Sequence, residues 1–221
     1  NLTNAKIESR RKITSVFISE GIVNIGYSAF EGCENLTNVN IPDGVIEIGH
    51  NAFENCTSLT NITIPKGVTK IEGGTFESCI SLTSITIPEG VTEIDYEAFE
   101  SCVNLTNIIV PDSVTKIGES AFENCVNLIS ITIPEGVTEI GDSAFENCVK
   151  LADKQGFLIF NNILCGYIGN ETQVIIPEGV TSIADSAFRD CENLTSITIP
   201  NSVINIGGSV FWRCKKLKSV N

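Results

Sequence analysis

Nine cysteines, a single histidine and a column of glutamates carry most of the chemical potential of this 221-residue chain. Thiols brought close together form disulfides or hold metal. Eight of the nine fall in one register: Cys33, Cys56, Cys79, Cys102, Cys125, Cys148, Cys191 and Cys214. Stacked units would place these thiols about 4.8 Å apart with parallel side chains. That arrangement does not offer the crossed geometry of a disulfide. No C-x-x-C pair occurs and His50 stands alone, so a four-ligand zinc site is not expected. The register predicts a buried column of small apolar thiols. Cys165 lies outside it and is either reactive or a packed strand residue.

Glu31, Glu54, Glu77, Glu100, Glu123 and Glu146 share a second register. Like charges in a stack could hold divalent cations. Ser28, Asn51, Ser120 and Ser143 stand three residues before four of them, the spacing of a capping box at the start of a helical turn. The capping role is the simpler one, so no metal or other cofactor is expected. A third register alternates in sign, Glu47, Lys70, Glu93, Lys116, Glu139, and predicts ion pairs between neighbouring units on a solvated face. Catalysis finds no footing in these columns. They recur with the period, whereas an active site should break it, and neither a nucleophile–base motif nor a phosphate loop is present. A period-breaking pocket, if one exists, is expected near Asp153, Tyr167 and Asn170.

The elements that position these residues follow from the repeat itself. Phenylalanine recurs every 23 residues from Phe30 to Phe145 and again from Phe188 to Phe211; the 43-residue gap between the two runs holds an insertion of 20. In one unit, Leu59, Ile62 and Ile64 alternate with Asn61 and Thr63, which reads as a short strand. Pro65 stops it, because proline cannot donate to a ladder. Gly67 turns the chain, and Val68 with Ile71 makes a second apolar step. Ala144, Phe145 and Cys148 then sit at helical spacing, which predicts a short helical turn. One such unit cannot bury its own apolar face, so the units must stack into a solenoid. About eight to nine units across residues 1–221 read as one domain. The insertion, about 152–173, predicts a hairpin, because two apolar runs flank Asn161–Asn162.

The strand pattern L-x-x-I-x-I, with Ile64–Pro65–Lys66–Gly67–Val68 and Ala98–Phe99–Glu100–Ser101–Cys102, resembles the BspA-like leucine-rich repeat over roughly residues 13–221. The resemblance implies a right-handed β/α superhelix of short parallel strands and short helical turns, with one sheet on its concave side. It further implies a secreted or cell-surface protein with a role in adhesion. The concave row would carry Asn61, Thr63, Ser84, Thr86, Asn107, Ile109, Ser130 and Thr132. That row is the expected binding face for a protein or glycan of a host or neighbouring cell, with a non-binding structural spacer as the alternative. Aromatic and arginine anchors, the usual hot spots, are scarce on it.

The net charge of −13 argues against nucleic acid as a partner. It is unevenly spread: residues 21–188 sum to −18, and the two ends are weakly basic. No apolar run approaches the ~20 residues of a spanning helix, so membrane insertion is not expected. The chain stops at Asn221 within a strand unit and without a polar cap, as a segment of a longer array would. Seven N-x-S/T sequons, at Asn1, Asn35, Asn55, Asn61, Asn104, Asn170 and Asn193, arise largely from the repeated N-L-T and say little about glycosylation.

Overall fold

The computed structural model describes residues 10–221; the sequon at Asn1 lies outside them. Each 23-residue unit forms one coil, and the coils stack through two parallel ladders. The first ladder pairs Ser15–Phe17 with Asn38–Asn40 and Asn107–Ile109 with Ser130–Thr132. Single bridges, Thr63 to Thr86 and Ser84 to Asn107, carry it through the coils between. It resumes after the insertion as Gln173–Ile175, Ser196–Thr198 and Ser219–Val220. The second ladder uses the dipeptide that begins two residues after the recurring valine, as at Val68. Lys70–Ile71, Glu93–Ile94, Lys116–Ile117 and Glu139–Ile140 pair in order. The register expected to hold ion pairs is therefore itself a strand column. The fold is a β-solenoid with two ladders rather than one sheet.

The segments expected as helical turns are not helical. The only helix among the described residues is a short 3-10 turn at Arg10–Lys12. The reason lies in the residue before each alanine. Ser28, Asn51, Glu97, Ser120, Ser143 and Ser186 all adopt left-handed φ between 49° and 57°, which stops a right-handed helix from propagating. A second left-handed residue follows each phenylalanine two positions later, as at Asn55, Ser78, Ser101 and Asn124. The backbone amides then point along the stack. Phe30, Phe76, Phe99 and Phe122 donate to the carbonyls of Ala52, Ala98, Ala121 and Ala144 in the next coil, each at 2.8 or 2.9 Å. The third side of the solenoid is thus bonded from coil to coil without being a regular strand.

The core follows the sequence registers. Phe30, Phe53, Phe76, Phe99, Phe122 and Phe145 stack with ring centroids 5.3–5.8 Å apart and planes within 17°. The coil spacing of ~4.8 Å forces an offset, which is the favourable stacking geometry. The insertion forms the expected hairpin, Phe157–Phe160 against Ile163–Tyr167. Asn161 and Asn162 turn it with φ of 47° and 62°. Its second strand joins the second ladder, pairing Ile163 with Ser182 and Leu164 with Ile183.

The hairpin is not a surface flap. It divides the interior into two cores, and its residues alternate between them. Leu158 and Cys165, with Phe160 and Ile163, pack on the N-terminal core. Phe157, Leu164 and Tyr167, with Ile159, pack on the C-terminal core. Strand geometry sends successive side chains to opposite faces, so a two-stranded wall can serve both sides. The aromatic column continues through it: Phe145 meets Phe160 at 4.8 Å and Tyr167 meets Phe188 at 5.3 Å.

Candidate functional site

The polar row lies on the first ladder. Asn61, Thr63, Ser84, Thr86, Asn107, Ile109, Ser130 and Thr132 are all exposed. Ladder pairing places Asn107 beside Ser130 and Ile109 beside Thr132. Ile109 is 72% exposed, and Phe17 and Ile175 in the same register are 79% and 73% exposed. These three are the apolar points on an otherwise small, uncharged face. The row can offer hydroxyl and amide groups at a fixed spacing, with a few apolar contacts between them.

The cysteine column is buried from Cys33 to Cys148 and half-buried at Cys191 and Cys214, and none of its members forms a disulfide. It does more than fill space. Cys56, Cys79, Cys102, Cys125 and Cys148 each donate from Sγ to the carbonyl of the phenylalanine one coil back, at 3.1–3.2 Å. The thiol therefore adds a second bond, from the next coil, to a buried carbonyl that already accepts the amide three residues on, as Phe76 does from Cys79. Burial pushes Cys79 and Cys148 up to about 12 and keeps these thiols protonated. Cys165 is held the same way: it is 9% exposed, packs on the N-terminal core, and burial raises it to about 12. It is a packed strand residue, since reactivity needs the thiolate.

The acid column keeps the capping residues but not the helix. Ser120 donates to Glu123 Oε2 and Ser143 to Glu146 Oε2, both at 2.7 Å, and Asn51 Nδ2 donates to Glu54. These are side chain to side chain bonds. Arginines close both ends of the column: Arg10 reaches Glu31 at 3.6 Å, and Arg189, beyond the hairpin, reaches Glu146 at 3.9 Å. The middle has no such relief. Burial first, then Glu54, Glu100 and Glu97, push Glu77 up to about 7. Glu100 moves in the same direction through burial, Glu123 and Glu97.

This shift sets a pH dependence. A carboxyl whose folded value exceeds its ordinary 4.5 binds more protons when folded than when unfolded between those values. Its stabilising contribution is full below about pH 4.5 and is lost as pH rises through about 7. Glu77→Gln is expected to raise the melting temperature at pH 8 and leave it nearly unchanged at pH 4.5. Low-salt thermal melts across that range are the check, and equal effects at both ends would contradict the assignment.

A cluster that the registers did not foretell lies on the second ladder. His50 Nε2 is 3.3 Å from Glu72 Oε2, and Asp95 completes a set of three ligand-type atoms within 4.8 Å of one another. Lys70 Nζ sits among the acids, 2.7 Å from Asp95, 3.3 Å from Glu72 and 3.4 Å from Glu93. Lys116 also pairs with Glu93 at 3.3 Å, so the alternating charge column is realised at its centre. Burial opposes the charge on Asp95, but the hydrogen bond and charge of Lys70 prevail and hold it below the ordinary carboxylate range. The sequence did hold a signal for this cluster: Glu72 and Asp95 stand where Gly26, Gly49, Gly118 and Gly141 stand in other coils.

With the coils, ladders and registers in place, comparison with known proteins decides the family. The family described as BspA type leucine rich repeat region matches residues 7–128, 46–155 and 159–221, in six copies. The chain belongs to this family. A solved leucine-rich repeat protein from Bacteroides ovatus is 33% identical, with a TM-score of 0.67 over 93% of this chain. A leucine rich cell surface protein from Faecalibacterium prausnitzii is 31% identical, with a TM-score of 0.54 over 96%. The T. pallidum leucine rich repeat protein is 28% identical over 93%, with a TM-score of 0.54, and 78% of its length is covered. This chain spans 62% and 60% of the first two structures. No curated protein matches it.

BspA-type repeats account for the columns, so a site outside the period would stand at the hairpin. Open clefts of about 250 and 560 Å³ do lie beside Tyr167, the larger also lined by Asn170. Asp153 is not in them; its Oδ1 accepts from the amides of Gln155 and Phe157 and closes the entry turn. Arg189 and Asp190 line both clefts and Glu146 the smaller, and Arg189 pairs with both acids. Ser143, one of two serines lining the smaller cleft, is bonded to Glu146. Tyr167 is buried in the aromatic column. The period is broken there by packing, and the matched family is a repeat family rather than an enzyme family.

Proposed function

We propose that this chain is a non-catalytic module of a secreted or cell-surface protein. Its polar row binds a protein or glycan on a host or neighbouring cell, and the outcome is adhesion. The observation that carries the reading is the unbroken exposure of that row, from Asn61 to Thr132, with Ile109 standing out of it. Family membership supports a repeat-based binding surface, and the F. prausnitzii relative is described as a cell surface protein. No described helix is long and apolar enough to cross a membrane. A structural spacer is the second reading, favoured by the small, uncharged side chains that make up most of the row.

Binding of the purified chain to matrix proteins and to cell surfaces, read by surface plasmon resonance, separates the two. Saturable binding is expected, weakened at least ~10-fold by Ile109→Asp and by Thr86→Arg, which is about 1.4 kcal/mol or more. Absence of saturable binding, or binding that both variants leave untouched, would remove the polar row and favour the spacer.

A further inference from the structure

We propose that His50, Glu72 and Asp95 bind a divalent transition-metal ion of the zinc class across three successive coils. The site is built from departures from the period. In the other coils the position after the second-ladder isoleucine is glycine or alanine; Glu72 and Asp95 are the two carboxylates found there. One position further on, Gly73 lies between His50 and Tyr96. A β-carbon at Gly73 would run into the Tyr96 ring. Its absence lets Tyr96 reach across that coil and stack on His50, with centroids 5.8 Å apart and the hydroxyl 3.3 Å from Nδ1. Metal-binding histidines are commonly held this way, one ring nitrogen on an outer partner and the other turned to the ion. Here the nitrogen left over is Nε2, which faces Glu72 Oε2 at 3.3 Å.

That separation suits the ion. Zinc binds imidazole nitrogen and carboxylate oxygen at about 2.0–2.2 Å, so neighbouring ligands of a tetrahedral site lie about 3.3–3.5 Å apart. A mixed imidazole and carboxylate set also selects zinc-like ions over calcium, which prefers oxygen alone. The Lys70 ammonium already marks the place where positive charge is most favoured, between Asp95 and Glu72. Its close partners are the carboxylates of Asp95, Glu72 and Glu93 rather than the imidazole, so the lone pair of the histidine is left for an ion to accept. Lys70 also pairs with Glu93, so it retains a partner when displaced. The cluster lies on the second ladder and is independent of the polar row.

The test is titration of the reduced chain with Zn2+ in competition with a chromophoric chelator. One equivalent is expected to bind. His50→Ala and Asp95→Asn are each expected to weaken it at least ~10-fold, the scale on which even outer-shell losses act. Lys70→Met is expected to tighten it, because a competing cation is gone, and a purely structural lysine would not have that effect. Three results would overturn the proposal. The first is no saturable zinc binding by the parent chain. The second is affinity unchanged in both ligand variants, which would place the metal on the thiols or the acid column. The third is a Lys70→Met chain that binds no more tightly than the parent.

Discussion

Phe99→Ala is expected to cost about 3–5 kcal/mol, the usual loss when a buried phenylalanine is cut to alanine. Phe99 is fully buried and stacks on both sides, with Phe76 at 5.5 Å and Phe122 at 5.3 Å. Removing its ring takes away two stacking contacts and leaves a cavity that the neighbours cannot close. Their positions are held by main-chain bonds, Phe76 to Ala98 and Phe122 to Ala144. Solenoid stability is carried by contacts between neighbouring units, so one weak interface can also uncouple the two flanks. Urea unfolding followed by fluorescence and by circular dichroism is the measurement. The expected result is a lower midpoint, with the two probes no longer coincident. A loss under about 1 kcal/mol would show that the column repacks as a fluid core would, contrary to the close packing of protein interiors.

Leu164→Ala follows in size, at about 2–5 kcal/mol, and its effect should be lopsided. Leu164 is fully buried on the C-terminal side of the dividing hairpin, next to Phe157, Tyr167 and Ile183. Its neighbour in sequence, Cys165, faces the N-terminal core. The alanine variant should therefore speed amide hydrogen exchange in the coils after the hairpin. Ile176, bonded to Thr198 at 3.0 Å, is a suitable reporter there. Phe99, bonded to Ala121 at 2.8 Å, should keep its protection. Equal loss on both sides would mean that the two cores melt as one and that the hairpin does not divide them energetically.

Much of this fold was legible because the repeat fixes register. A 23-residue period with alternation at Leu59, Ile62 and Ile64 leaves one way to bury the apolar side. It also places eight cysteines, eight phenylalanines and six glutamates in columns. The polar row was legible for the same reason, since the residues between the buried ones must face out, as Asn61 and Thr63 do. The expected helical turn is the exception. Ala144, Phe145 and Cys148 have helical spacing, but Ser143 is left-handed, at a φ of 53°, and the amides bond to the next coil. Spacing alone does not distinguish a helix face from a series of turns that buries the same residues. By register alone the thiol column is apolar filling; its hydrogen bonds to phenylalanine carbonyls depend on a neighbouring coil, 26 residues away in sequence.

The sequence by itself determined the unit, the stacking and the membership of each column, because a strict period leaves no freedom in which residues meet their equivalents. Contacts between residues that are not equivalent were decided only by the tertiary structure. His50 sits one position further along its unit than Glu72 and Asp95 do in theirs, and they meet because Gly73 leaves room for Tyr96 to fix the histidine ring. The hairpin likewise reads as a hairpin in sequence. Its role as a wall depends on where the second ladder receives it, at Ser182 and Ile183, and that placement is set by packing on both faces at once.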